Sequence, residues 1–184
     1  MKQKIKQGYL VENVPMILKA LKFVEKAHKD QKRKISGVPY FWHPIIVAFI
    51  VTSFKKSSRL AEIIVAAILH DVIEDTNFDF NYIQREFSPF VASLVLELTN
   101  NNEEIARIGK FEYLKKKLIG ISGYALIIKL ADRLHNISDN PTNEYVKDTI
   151  KIMRNLKNNR KLTKTQSLLV LEIEATCKIK LKNK

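Results

Sequence analysis

The chain has 184 residues, of which 46% are hydrophobic, so it is long enough to bury the core of one globular domain. No apolar stretch approaches the roughly 18 residues of a membrane-spanning helix, and the first residues lack the apolar stretch of a signal peptide. The single cysteine, Cys177, excludes an internal disulfide and a thiolate metal cluster. These features together predict a cytoplasmic protein with no membrane partner.

The charge is strongly positive, because 32 lysines and arginines stand against 19 acidic residues and give a formal net charge of +13. Such an excess favours anionic partners: nucleic acid, nucleotides or acidic lipid. The lysine runs at 115–117 and 177–184 are, however, typical of a solvated surface, and no nucleic-acid motif with interleaved aromatic residues accompanies them. The sequence therefore argues against nucleic acid as the main partner, and it leaves the oligomeric state open.

The predicted elements of the first half of the chain are helices. Apolar residues from Ile17 to His28 recur at helical spacing and predict the first one. Glycine and proline break the pattern at "SGVPYFWHP", and Pro44 is well placed to open the second helix, "PIIVAFIVTSF". Ser57 or Ser58 is expected to cap a third helix that runs through "RLAEIIVAAILHDVIED".

The second half continues in the same way, with "TNNNEEI" predicted as a polar loop before the helix "ARIGKFEYLKKKL". Further helices are predicted to start at Asp79, at the caps Ser88 and Ser122, at Pro141-Thr142, and at Thr163, which has Gln166 at capping-box spacing. No hairpin signal and no internal repeat is present. The sequence predicts an all-α bundle of roughly eight helices, with no linker that divides it.

Four candidate metal ligands each interrupt or adjoin an apolar run: His43, His70, Asp71 and Asp132. A carboxylate that is buried alone costs several kcal/mol or stays protonated, so two carboxylates in apolar helices are most simply explained by a shared cation. Each residue taken alone has an ordinary explanation, because a single histidine is usually a satisfied core residue and an "AD" pair is usually part of a salt bridge. The combination favours a metal site.

The residue types and their spacing also suggest a reaction. Two imidazoles and two carboxylates suit Mn²⁺ and also accept Fe²⁺, Zn²⁺ or Co²⁺, and such an ion makes water more acidic and polarises a phosphoryl oxygen. Glu74 follows Asp71 by three residues and His70 by four, so on a helix it shares their face and suits a general base. Asp75 points about 100° away on an ideal helix and reaches the site only if the helix ends near Thr76.

Three stretches in order carry a family resemblance: "AHKDQKRK…GVPYFWHP", "AAILHDVIEDT" and "KLADRLHNI". Together they resemble the HD-domain metal-dependent phosphohydrolases, and within them the hydrolase domain of RelA/SpoT proteins and the stand-alone small alarmone hydrolases. A His-Asp pair alone is unspecific, whereas the pair followed by "EDT" between both flanking motifs is specific. The resemblance implies a single HD-type hydrolase domain over residues 1–184, with its motifs at about 28–139 and C-terminal helices at 142–184.

The resemblance also implies an activity: hydrolysis of guanosine 3′-diphosphate 5′-di- or triphosphate, (p)ppGpp, to GDP or GTP and pyrophosphate, with Mn²⁺ as the usual metal. On the matching positions, the metal ligands are His43, His70, Asp71 and Asp132, and the catalytic carboxylates are Glu74 and Asp75. The nucleotide contacts are Arg33, Lys34, Asn136 and Asp139. Tyr40, Phe41 and Trp42 are expected to be core or pocket wall rather than base-stacking residues.

Three alternatives stay open. Another HD phosphohydrolase, acting on a different nucleotide or on a dinucleotide phosphate, would use the same metal ligands. A basic, non-catalytic module that binds nucleotides or RNA would not need the extra carboxylates Glu74 and Asp75. A purely structural helical protein would leave Asp71 and Asp132 buried without a reason.

Overall fold

The computed structural model describes residues 12–34 and 36–182, which form eleven helical segments, eight of them nine residues or longer. The all-α prediction is confirmed for this part of the chain, where the extended pairing is one isolated bridge between Lys32 and Pro39. The chain divides into two compact units, one ending at Thr99 and the other beginning at Asn100. A single HD-type domain over 1–184 stays a prediction.

The described part of the first unit contains six helices: α1 (Val14–Ala27), α2 (Trp42–Phe54), α3 (Leu60–Ile68), α4 (Val72–Asp75), α5 (Phe80–Glu86) and α6 (Pro89–Leu98). Helix α3 forms its centre and packs against α1, α2 and α6. Seven of the nine residues of α3 are buried, as expected for a helix that is apolar on every face. Each large aliphatic side chain buried in this way contributes about 1.5–3 kcal/mol.

The third predicted helix is interrupted, which corrects the expectation of one helix through "RLAEIIVAAILHDVIED". Helix α3 ends at Ile68, and α4 is a single turn that begins at Val72. The backbone N–H of Val72 donates to the carbonyl of Leu69 at 3.0 Å, so the chain makes a tighter turn than an α-helix there. The start also differs, because the N-cap residue is Arg59 rather than Ser57 or Ser58.

The second unit contains five helices: α7 (Asn102–Ile108), α8 (Lys110–Gly120), α9 (Gly123–Ser138), α10 (Asn143–Asn159) and α11 (Lys164–Lys182). Helix α9 is buried over eleven of its sixteen residues and packs against α11, which also packs against α10. The loop predicted at "TNNNEEI" is wrong in its second half, because Asn101 caps α7 by accepting from the N–H of Glu104. Gly109, with a φ of +81°, separates α7 from α8.

Most of the predicted helix starts are confirmed. The side chains of Asp79, Ser88, Ser122 and Thr142 each accept a hydrogen bond from the backbone N–H three residues later. Within the described part of the chain, no helix has both the length and the apolar character needed to cross a membrane.

Candidate active site

Two histidines and an aspartate meet in the first unit. His43 is the second residue of α2, and His70 and Asp71 form the turn between α3 and α4. All three residues are buried, with exposed fractions of 2%, 0% and 9%. The break after Ile68 therefore has a structural result: it places both residues of the His-Asp pair in a turn rather than on a helix face.

The polar atoms of these three side chains converge on one oxygen. His70 Nε2 lies 2.9 Å from Asp71 Oδ2, and His43 Nε2 lies 3.6 Å from the same atom. The two imidazole rings are 5.2 Å apart between centroids and inclined by 60°. Each imidazole ring thus directs its Nε2 atom toward the same carboxylate oxygen.

The other ring nitrogen of His70 fixes its orientation. His70 Nδ1 lies 2.8 Å from the carbonyl oxygen of Ala67, which belongs to the last turn of α3. A carbonyl oxygen only accepts hydrogen bonds, so Nδ1 carries the hydrogen. Metal-binding histidines commonly donate their second N–H to a backbone carbonyl in this way, which leaves Nε2 as the coordinating atom.

The donor set fits a divalent transition-metal ion. Two imidazole nitrogens and a carboxylate oxygen, without a thiolate, suit Mn²⁺, Fe²⁺, Zn²⁺ or Co²⁺. An ion pair between a protonated histidine and Asp71 would account for one of the two short distances, whereas a cation accounts for the convergence of both Nε2 atoms. The first unit therefore contains a cluster that can bind a metal.

Tyr40 makes a direct contact with this cluster that sequence reasoning missed. Its hydroxyl group donates to Asp71 Oδ2 at 2.6 Å, and its ring lies 5.5 Å from that of His43. The sequence alone predicts that Tyr40 is a core or pocket-wall residue. The available signal was its position three residues before His43, but nothing local to it shows a contact with Asp71, which is 31 residues away.

The two acidic residues after the His-Asp pair lie at the end of α4. The helix ends at Asp75, and Thr76 is extended, with φ −139° and ψ 177°. The predicted helix end near Thr76 is therefore confirmed, and it is the condition under which Asp75 was expected to approach the cluster. The catalytic roles of Glu74 and Asp75 stay predictions.

The carboxyl group of Asp75 is sensitive to these neighbours. Although the residue as a whole is exposed, desolvation of its carboxyl group raises its pKa, and the negative charges of Asp71 and Glu74 raise it further. The nearby His28 and a hydrogen bond with Tyr40 act in the opposite direction. Asp75 is thus electrostatically coupled to the cluster rather than isolated on the surface.

Arg33 and Lys34 lie in the loop that leads to Tyr40. Arg33 is half-buried and Lys34 is exposed. The backbone N–H of Arg33 donates to the carbonyl of Val38 at 2.9 Å, and its own carbonyl accepts from Gly37 N–H at 2.9 Å. Gly37 has a φ of +71°, a conformation that glycine adopts without strain. These bonds hold the backbone at Arg33, while its contact with a nucleotide stays a prediction.

The remaining predicted residues belong to the second unit. Asp132 is buried in α9, pairs with Lys129 Nζ at 3.2 Å and accepts a hydrogen bond from the Asn136 amide. Asp139 is the C-cap residue of the same helix. Asp132 and Asn136 share one helix face, as their spacing predicted.

The comparisons with known proteins agree with the motifs. A family described as the HD domain matches residues 20–165. A "probable guanosine-3′,5′-bis(diphosphate) 3′-pyrophosphohydrolase" of Mycoplasma pneumoniae is 34% identical over 147 residues, which are 74% of this chain and 20% of that protein. The GTP pyrophosphokinase rsh of Brucella melitensis is 38% identical over 131 residues, 68% of this chain and 17% of that protein. The chain thus spans about a fifth of the length of these relatives.

A solved structure shares the fold over nearly its whole length. It is described as a metazoan ortholog of SpoT that hydrolyses ppGpp and plays a role in starvation responses. It superposes with a TM-score of 0.74 at 26% identity and covers 89% of this chain and 94% of its own. These matches confirm the resemblance that the three motifs carry, and the chain belongs to the HD domain family.

Proposed function

We propose that this chain is a metal-dependent pyrophosphohydrolase that removes the 3′-diphosphate of (p)ppGpp. The observation that carries the proposal is the convergence of His43 Nε2 and His70 Nε2 on Asp71 Oδ2, beside the acidic end of α4. Relatives named for hydrolysis of this guanosine nucleotide support the choice of substrate. For this nucleotide substrate we propose the cytoplasm as the place of action.

The proposed metal ligands are His43 Nε2, His70 Nε2 and a carboxylate oxygen of Asp71, with Asp132 as a further ligand on the resemblance of its motif. Mn²⁺ is the proposed ion, since the donor set accepts it and the resemblance favours it. Such an ion, when bound, makes water more acidic and polarises a phosphoryl oxygen. The hydrogen bond from His70 Nδ1–H to the Ala67 carbonyl keeps that imidazole in the orientation that metal binding needs.

The proposed reaction is the addition of water to the phosphorus atom that is bonded to the ribose 3′-oxygen. Glu74 acts as the general base and takes a proton from the water as its oxygen bonds to phosphorus. The bond from this phosphorus to the 3′-oxygen breaks, the 3′-oxygen takes up a proton, and pyrophosphate is released. Asp75 is the second catalytic carboxylate, next to Glu74 at the end of α4.

The proposed nucleotide contacts are Arg33, Lys34, Asn136 and Asp139. Arg33 is the strongest of them, because a guanidinium group can lie flat on a purine and can bond to two acceptors at once. The Asn136 amide already donates to Asp132. It has a second N–H and a carbonyl oxygen, and these remain chemically suited to a ribose contact.

The test is a nucleotide panel with the Mn²⁺-loaded protein. We expect GDP and pyrophosphate from ppGpp, GTP and pyrophosphate from pppGpp, and no pyrophosphate from GTP or ATP, all read by ion-exchange chromatography. Chelation with EDTA should stop the reaction, and Mn²⁺ should restore it better than Mg²⁺ or Ca²⁺. The panel includes a 2′- and a 3′-phosphorylated dinucleotide, which represent the alternative substrates of an HD phosphohydrolase.

Two controls make the panel decisive. An Asp71→Asn variant should be inactive. Asp30 is an exposed acidic residue in the loop between α1 and α2, and an Asp30→Asn variant should turn over ppGpp at the wild-type rate. Release of phosphate from the dinucleotides instead of pyrophosphate from ppGpp would replace the proposed substrate. Nucleotide binding without turnover of any compound, at saturating metal, would favour a non-catalytic module.

A further inference from the structure

The hydroxyl group of Tyr40 lies between the two carboxylates that the proposed function uses differently. It donates its single hydrogen to Asp71 Oδ2 at 2.6 Å, and the nearby Tyr40 side chain also lowers the pKa of the Asp75 carboxyl group. Asp71 is a proposed metal ligand, and Asp75 is a proposed catalytic carboxylate. One phenolic group therefore joins the metal side of the site to its catalytic side.

The position of Tyr40 is fixed by its neighbours. Its backbone N–H donates to the carbonyl of Gln31 at 2.9 Å, and its own carbonyl accepts from the N–H of His43 at 2.8 Å. Its ring lies between two histidine rings, 5.0 Å from that of the fully buried His28 and 5.5 Å from that of His43. A group held on both its backbone and its ring costs little further entropy when it orients a neighbour.

The same segment also holds the backbone of Asp75. His28 Nδ1 lies 2.8 Å from Gln31 Oε1, and because an amide oxygen only accepts, His28 is the donor. Gln31 Nε2 in turn donates to the carbonyl of Asp75 at 2.8 Å. Tyr40 thus contacts the side chain of Asp71, and Gln31 contacts the backbone of Asp75.

We propose that Tyr40 is a positioning residue, whose hydroxyl group orients Asp71 Oδ2 toward the metal. The inference rests on the proposed function for the catalytic role of Asp75, but its metal-binding part does not depend on the substrate. Hydrogen-bond partners of metal ligands typically change metal affinity or activity about 10- to 100-fold when they are removed. Tyr40 is expected to affect both quantities, because its hydroxyl group bonds to Asp71 and its backbone N–H bonds to Gln31, which in turn donates to the Asp75 carbonyl.

The test is Tyr40→Phe, which keeps the ring and removes the hydroxyl group alone. We expect the Kd for Mn²⁺, measured by calorimetry without nucleotide, to rise about 10-fold. At saturating Mn²⁺, kcat for ppGpp should fall about 10-fold and KM should stay within about two-fold. Tyr82→Phe is the matched control: this tyrosine stacks on Phe23 in the same unit, and both quantities should keep their wild-type values.

A second variant separates the two contacts of the segment. Gln31→Met removes the donor to the Asp75 carbonyl and leaves the Tyr40 hydroxyl in place, so kcat should fall with no change in the Kd for Mn²⁺. Wild-type Mn²⁺ affinity and kcat in a folded Tyr40→Phe protein would overturn the proposal, and so would an increase in KM alone, which would make Tyr40 a substrate contact. If Tyr40→Phe weakens Mn²⁺ binding while the wild-type protein leaves ppGpp intact, the positioning of Asp71 stands and the proposed substrate is wrong.

Discussion

His70 and Asp71 are adjacent in the chain, and their side chains turn back on each other so that Nε2 of the histidine lies 2.9 Å from Oδ2 of the aspartate. Neighbouring residues on a continuous helix point about 100° apart. The contact exists because α3 stops at Ile68 and the backbone makes a tight turn, with Val72 N–H bonded to Leu69 O. The local break in the helix is thus what converts a His-Asp dipeptide into two converging ligands.

Replacing Asp71 with asparagine tests this pair directly. The variant keeps the shape of the side chain and removes its charge, so the Kd for Mn²⁺ should rise by at least about 10-fold. In the wild-type protein, Mn²⁺ at about 100 times its Kd should add roughly 2.7 kcal/mol to the free energy of unfolding, and at the same Mn²⁺ concentration this gain should fall to about 1.4 kcal/mol or less in the variant. Calorimetry and urea unfolding with and without Mn²⁺ measure both effects. Asp30→Asn serves as the control, and equal Mn²⁺ affinity in Asp71→Asn would remove the carboxylate from the metal site.

The sequence predicts the helix starts better than the helix interruptions. Ser88 and Ser122 are visible as caps because a short polar side chain before an apolar run is a local feature, and both accept the expected hydrogen bond. The break at residues 69–71 is not visible, because no glycine or proline marks it and the apolar spacing continues across it. The hydrogen bond between the His70 ring and the Ala67 carbonyl, which accompanies the break, is a property of the folded site.

The candidate site likewise divides into features that the local sequence shows and features that arise only from the fold. The types of the proposed ligands and the helix end near Thr76 follow from the motifs and from helical geometry. The hydrogen bond from Tyr40 to Asp71 depends on the path of the loop between α1 and α2, which local sequence does not specify. Helix α7 escapes prediction for a different reason: Asn101 and the acidic first turn are a valid start signal, but the polar composition of "TNNNEEI" favours a loop.

The capping box at the start of α11 provides a stability test. Gln166 is buried, its Oε1 accepts from Thr163 N–H at 2.9 Å, and its Nε2 donates to the carbonyl of Gly123 at 3.0 Å. Gln166→Ala leaves both partners without these bonds and should lower the free energy of unfolding by about 1–3 kcal/mol. Urea denaturation measures the change. Glu172→Ala, at an exposed position of the same helix, should change stability by less than about 0.5 kcal/mol, and an equal loss in both variants would contradict the role of the capping box.

Cys177 gives a prediction for alkaline pH. Burial raises the pKa of its thiol to about 11, with a smaller opposing effect of Arg133. Because the folded pKa lies above the unfolded value of roughly 8.5, the folded state holds the proton more tightly, and this stabilisation is complete below about pH 8.5 and lost as the pH rises toward 11. The free energy of unfolding should fall more steeply between pH 8 and pH 10 in the wild-type protein than in Cys177→Ala. If the free energy of unfolding fell equally with pH in the two proteins, the thiol would have the same pKa in the folded and the unfolded state.

Arg33 is expected to determine the affinity for the guanosine substrate. Arg33→Ala should raise KM for ppGpp about 10-fold with kcat within about two-fold, because it removes a proposed binding contact that takes no part in the chemical step. Initial rates over a range of ppGpp concentrations measure both constants. Lys29→Ala removes an equal charge from an exposed position nearby, and KM should then change by less than about two-fold. An equal increase in KM in both variants would reduce Arg33 to one part of a general positive field.

Glu74 is the residue for which binding and chemistry should separate most clearly. It is half-buried in the single turn α4, and its charge raises the pKa of the neighbouring Asp75. As a general base that does not coordinate the metal, it should be dispensable for binding, so Glu74→Gln should keep the Kd for Mn²⁺ and the KM for ppGpp within about two-fold. The rate of the chemical step should fall about 10²- to 10⁴-fold, the usual contribution of a positioned base.

Calorimetry with Mn²⁺ and single-turnover measurements of pyrophosphate release separate these quantities for Glu74→Gln. Glu25→Gln, at an exposed position of α1, is the control for the loss of one carboxylate and should be fully active. Loss of Mn²⁺ binding in Glu74→Gln would make Glu74 a ligand instead of a base. In that case Asp75, which Gln31 holds at the end of the same turn, would be the remaining carboxylate for proton transfer, and Asp75→Asn should then show the selective loss of kcat.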